Sequence, residues 1–200
     1  MDLKSFIITP DMFLSEDGDV LRESGIEDIM KHAISCVSPE IRCIKEDNSD
    51  GVIRYHEGDK TIAFIFQEVK RLATKKSIRL EEIICQDLWY LSDFADNFPH
   101  TQDRLVGMRM ATEKWIAVLP LGNLFQTQWY QLYLLTKSLA KQDGKTASTA
   151  WAYEPMRDIM NRYRQQFLDA TIMLEIGEGL DMKDVITTEI EACYINFNLE

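Results

Sequence analysis

Glu68 and Lys70 stand two residues apart at the end of the apolar run Thr61-Ile62-Ala63-Phe64-Ile65-Phe66-Gln67-Glu68-Val69-Lys70. In an extended strand alternate side chains share a face, so the carboxylate and the ammonium point the same way, on the side of Phe64 and Phe66. A strand that opens Ile-Ala-Phe-Ile-Phe is expected to be covered on both faces, and charges at the rim of such a core need a partner to offset their desolvation. A mutual ion pair supplies one partner, and a divalent cation supplies another. Asp50 precedes the short segment Val52-Ile53-Arg54-Tyr55, and a hairpin turning near Gly58 would carry it back beside Glu68 and Lys70. Two facing carboxylates repel until a cation takes an oxygen from each, and Mg²⁺ prefers such hard ligands with waters completing its shell. A lysine next to them is suited to orient an attacking water and to steady negative charge building on a phosphoryl group.

Such a cluster needs rigid elements around it. Val20, Ile26, Ile29, Met30, Ala33, Ile34 and Val37 recur at helical spacing and predict a first helix over 19–37, with Ser24 or Asp19 available as its cap and Pro39 beyond its end. Ile41–Ile44 and Val52–Tyr55 read as two adjoining strands, and Thr61–Lys70 as a third. Leu80, Ile83, Ile84, Leu88, Leu91, Phe94 and Ala95 line one side of a second helix that stops at Phe98-Pro99. Leu105–Met110 and Trp115–Leu119 predict further strands, closed by Pro120-Leu121-Gly122. The remainder is expected to be helical: Leu124–Lys141, a long helix from Pro155 to about Glu175, and a last one capped by Asp181.

Asp50, the hairpin and Glu68-Val69-Lys70, behind a helix and two strands, resemble the PD-(D/E)xK nuclease superfamily in its RecB-like and phage-exonuclease-like branch. The resemblance implies a mixed α/β fold with a restriction-endonuclease-like core, ordered helix-strand-strand-strand-helix-strand over about residues 20–120, and additional helices over 121–200. It implies Asp50 and Glu68 as ligands of a catalytic Mg²⁺ or Mn²⁺, with the Val69 carbonyl as a further ligand and Lys70 as the catalytic lysine. Ser49 stands where the motif usually has proline. Members of this branch carry Gln-x-x-x-Tyr on the helix after the catalytic strand, which Gln86 and Tyr90 match; Gln126 and Tyr130 repeat the spacing later, and the first pair is favoured for its position. A glutamate from the first helix serves some members as an extra ligand, for which Glu27 or Glu23 is available. The implied activity is metal-dependent hydrolysis of phosphodiester bonds, in DNA rather than RNA.

The 200-residue chain, 46% hydrophobic and 28% charged, has the balance of an ordinary globular protein and no linker-like segment, so a single domain over 1–200 is expected. Its net charge of -11 opposes nonspecific attraction to phosphates, but Lys70, Arg71, Lys75, Lys76 and Arg79 fall within ten residues, and Arg71, Lys75 and Lys76 are candidate phosphate contacts. Without a leader or an apolar run of spanning length, the expected location is the cytoplasm, away from membranes. Cys36, Cys43, Cys85 and Cys193 read as reduced thiols; the three histidines lack metal-ligand spacing. The alternative is a noncatalytic protein-binding or regulatory module with an acidic surface. In it Glu68 and Lys70 form an ion pair worth about 0–1 kcal/mol, and the partner is another protein or a second copy.

Overall fold

The computed structural model describes residues 1–45, 49–74 and 78–193. In chain order the elements are β1 (Ile7–Ile8), α1 (Glu23–Val37), β2 (Arg42–Ile44), β3 (Gly51–Glu57), β4 (Lys60–Val69), α2 (Leu80–Asn97), β5 (Leu105–Ala111), β6 (Trp115–Pro120), α3 (Gln128–Gln142), α4 (Glu154–Arg162), α5 (Arg164–Ala170), β7 (Ile172–Glu175), β8 (Leu180–Asp181) and α6 (Met182–Cys193), with short 3₁₀ turns between them. The architecture is mixed α/β. Six strands form one sheet in the order β2-β3-β4-β5-β6-β7, and β1 pairs with β8 separately.

A tight turn at Gly58, whose φ of 59° favours glycine, folds β3 back on β4 in antiparallel register. β5 then lies parallel to β4, a pairing that requires a crossover, and α2 provides it. The remaining neighbours in the large sheet are antiparallel. The two faces of the sheet separate by residue parity. Val52, Phe64, Phe66, Val106, Met108 and Met110 pack under α2 to α5, whereas Ile53, Tyr55, Ile65 and Val69 pack against α1 and α6. Glu68 and Lys70 continue the parity of Phe64 and Phe66, toward α2.

A buried polar network ties α6 to the sheet. Arg109 on β5 donates from Nε and Nη2 to the Glu189 carboxylate on α6, the second contact being 2.7 Å, and from Nη1 to Gln67 Oε1 at 3.1 Å. Tyr55 donates its hydroxyl to Glu189 as well. All four side chains are buried, so removing one partner would strand a charge in the core.

The structure departs from the sequence expectations in three places. The first helix starts at Glu23; Ser24 lies inside it, and Arg22, not Ser24 or Asp19, occupies the cap position without a side-chain bond. The long helix expected to reach Glu175 is broken at Tyr163 into α4 and α5 and ends at Ala170, and Ile172–Glu175 forms a strand against β6. That segment alternates half-buried and exposed side chains, the period of a strand with one covered face. Among the described residues the region after position 120 therefore adds two strands as well as helices. Asp181 does cap α6, accepting from Lys183 N at 3.0 Å. Among the described residues no helix is long and apolar enough to cross a membrane.

Candidate active site

The hairpin register decides where Asp50 lies. Gly51 pairs with Gln67, so Asp50 stands opposite Glu68 at the end of the ladder. Its Oδ2 accepts a 2.7 Å bond from Val69 N, which fixes the carboxylate against the last residue of β4. In a strand the N–H and C=O of one residue point to the same flank, so the Val69 carbonyl is directed to the side of Asp50. The next amide faces the other way: Lys70 N donates to Ala111 O at 2.9 Å and docks the strand end onto β5.

Lys70 Nζ donates to Glu68 Oε1, and Glu68 is only 1% exposed. Its second oxygen, Oε2, is buried and has no hydrogen-bond partner among the described residues. Burial, followed by the negative charge of Asp50, pushes the Glu68 carboxyl up to about 8, more than Lys70 can offset. Asp50 is raised too, chiefly by burial. Lys70 is raised because its carboxylate partner outweighs the cost of burying the ammonium, so the lysine stays protonated. The register of β3 on β4 and the Lys70–Glu68 contact place positions 50, 68 and 70 at the same end of β4.

Glu23 and Glu27 approach from α1. Glu23 Oε1 accepts from Arg71 N at 3.3 Å, and its charge acts on both Glu68 and Lys70. Glu27 is buried, holds Lys31 Nζ at 2.6 Å and Lys45 Nζ at 3.4 Å, and adds to the negative field at Asp50. Of the two, Glu23 reaches the end of β4. Arg71 lies beside it, with its guanidinium Nε buried and unpartnered. Lys75 and Lys76 lie outside the described residues.

On α2, Gln86 Nε2 donates to Tyr90 Oη at 3.5 Å, one helical turn apart. The half-buried Tyr90 hydroxyl is raised chiefly by burial, with the negative charges of Glu68 and Asp50 adding to the shift and the Gln86 bond opposing it. Tyr130, from the competing repeat of the spacing, is core instead, packed on Phe125 with centroids 5.3 Å apart.

Sequence reasoning missed Asp87. This residue lies on the apolar stripe of α2 between Ile84 and Leu91, is 0% exposed, and has no partner among the described residues for either carboxylate oxygen. Burial first, then Glu68 and Asp50, push it well above the usual carboxylate range. The available signal was a charge sitting on the buried face of an otherwise regular amphipathic helix.

The donor set is hard oxygen, with a buried Glu68 oxygen that has no partner among the described residues, and this suits a hard divalent cation. Among the described residues no group of three or more His, Cys, Asp or Glu side chains is assembled to hold a metal. An ion here would take the Asp50 and Glu68 carboxylates and complete its shell from water, the usual habit of Mg²⁺. Comparison with protein-family models, with curated proteins and with solved structures finds no match to this chain.

Proposed function

We propose that the chain is a Mg²⁺- or Mn²⁺-dependent nuclease that hydrolyses phosphodiester bonds in DNA. The observation that carries this reading is Glu68: a carboxylate in the core's rim, one oxygen held by a protonated lysine, the other unpartnered, with a second carboxylate opposite it. A purely structural ion pair has no need of the second carboxylate, whose repulsion raises the cost of the arrangement. The order α1-β2-β3-β4-α2-β5, with β5 parallel to β4, is also the order that the PD-(D/E)xK resemblance implies, and it supports a restriction-endonuclease-like core.

In this reading Asp50 and Glu68 hold the cation, with the Val69 carbonyl directed to the same flank. The ion supplies Lewis-acid polarisation of a phosphoryl oxygen. Lys70, protonated, donates a hydrogen bond that orients the attacking water and steadies the charge that builds on the phosphoryl group. The Val69 N–H keeps Asp50 from swinging away, and the docking of Lys70 N on Ala111 fixes the base of the lysine. Gln86 and Tyr90 line the substrate side, and Glu23 from α1 adds negative charge that favours a bound cation.

The test is cleavage of labelled linear, circular and single-stranded DNA, with RNA in parallel, in Mg²⁺, Mn²⁺ or EDTA. Wild-type protein is expected to cut DNA only with metal, and Lys70→Ala to lose at least about 10²–10³-fold in rate, the scale of one transition-state donor, without losing its fold. Normal cleavage by Lys70→Ala removes the assigned chemistry.

A further inference from the structure

A chain of net charge -11 that acts on a polyanion must hold it through a local excess of positive charge. Beside the candidate site there is a cavity of about 370 Å³ between α2 and the segment that follows α3, lined by Trp89, Tyr90, Lys141, Lys145, Thr146 and Ser148 among others. Tyr90 links the two places: it bonds Gln86 on α2, the helix that covers the Phe64 and Phe66 face of β4, and it forms a wall of this cavity.

Asp93 is the acidic residue in the lining, and its charge is already taken up. It accepts from Lys137 Nζ at 2.8 Å and from Lys141 Nζ at 3.0 Å, so two ammonium groups share one carboxylate. Both lysines also lie over the Trp89 ring, at 5.0 and 5.7 Å from its centroid, which holds them in place on a buried indole. Among the described residues Lys145 has a 3.5 Å pair with Asp143, a residue largely open to water, and such a pair gives way readily to a better anion. The Thr146 and Ser148 hydroxyls are hydrogen-bonded to each other at 3.3 Å, and Thr146 also caps the turn at Ala147–Ala152, which leaves the Ser148 hydroxyl as the neutral donor beside these lysines.

We propose that this cavity seats the phosphodiester backbone of the substrate strand next to the bond that is cut, a role that rests on the nuclease reading of the adjoining carboxylates. Lys141 and Lys145 contact a phosphate, Ser148 donates to one of its oxygens, and Tyr90 separates this phosphate from the one at Glu68 and Asp50. The strand then runs along the flank of α2, which explains why a strongly acidic chain places lysines at this cavity.

The experiment is fluorescence anisotropy of a short labelled single-stranded oligonucleotide and its duplex, in EDTA so that no cleavage occurs, over a range of salt. Lys141→Ala/Lys145→Ala is compared with Lys60→Ala/Lys183→Ala, which changes the net charge equally at positions away from the cavity. Binding is expected to weaken by about tenfold or more in the first variant, with the salt slope reduced by about 1 for the one phosphate that the two lysines hold, and to hold in the second. Equal weakening in both variants, weakening in neither, or no binding by wild type overturns the proposal. Lys145→Glu alone, which loses only the contact with Asp143, serves if the double variant melts early. Loss of binding in the cavity variant of a protein that never cleaves would retain the strand seat and remove the nuclease reading. Cleaving wild type with a cavity variant that binds normally would do the reverse.

Discussion

Replacing Glu68 by glutamine removes a titrating group while keeping its shape, and the consequence for stability follows from the burial of that carboxyl. In the folded protein it binds its proton up to about 8, against an ordinary value of 4.5. Between those values the folded state keeps a proton that the unfolded chain has released, so stability falls as pH rises through the window and levels off above it. At about 1.4 kcal/mol for each tenfold difference in proton affinity, the full loss would be about 5 kcal/mol. Relaxation around a group coupled to Lys70 and Asp50 reduces this, and about 2–3 kcal/mol is expected. The assay is urea unfolding in EDTA at about pH 5 and about pH 8.5, for wild type and Glu68→Gln, using the difference between the two proteins so that other titrating groups cancel. Wild type should lose about 2–3 kcal/mol more than the variant on going to the higher pH. Equal losses in the two proteins would mean that Glu68 ionises normally, and the argument from its burial would fail.

Asp87→Asn should likewise flatten the fall in stability with rising pH, since a fully buried carboxyl with no partner among the described residues no longer has to hold a proton; the same urea series reads it. Millimolar Mn²⁺ should raise the melting temperature of wild type more at about pH 8 than at about pH 6, because the ion competes with the Glu68 proton. An equal rise in Asp50→Asn would remove Asp50 from the ligand set. Glu189→Gln should cost about 3–5 kcal/mol by leaving Arg109 buried without its counter-charge, yet preserve the Mn²⁺ effect on the folded fraction; chemical unfolding with and without metal separates the two.

The sheet and its two flanking helices were legible because their signals are local. Thr61–Lys70 is apolar on both faces, Gly58 marks the turn, and Leu80–Ala95 repeats at helical spacing, so β3, β4 and α2 were all expected within a few residues of where they lie. The antiparallel hairpin then brings Asp50 opposite Glu68 as a matter of register. Ile172–Glu175 was misread because four residues fit either period, and only pairing with β6 decides between them. Tyr163 ends α4 with no proline or glycine nearby to announce it. Asp87 escaped for a different reason: a helical pattern tolerates one charged residue on its apolar stripe, and the group's importance comes from the strand end packed against it. Between Glu23 and Glu27 the sequence offered no choice, since both lie on α1, and only the contact of Glu23 with Arg71 N separates them.

The sharing of one divalent cation by Asp50 and Glu68 is tested most directly by calorimetric titration of Mn²⁺ into the metal-free protein at about pH 8, where Glu68 gives up its proton. One ion per chain should bind to wild type and to Lys70→Ala, with binding abolished in Glu68→Gln and weakened at least about tenfold in Asp50→Asn. A wild-type protein that takes up no Mn²⁺, or a Glu68→Gln variant that takes it up as well as wild type, would contradict the account.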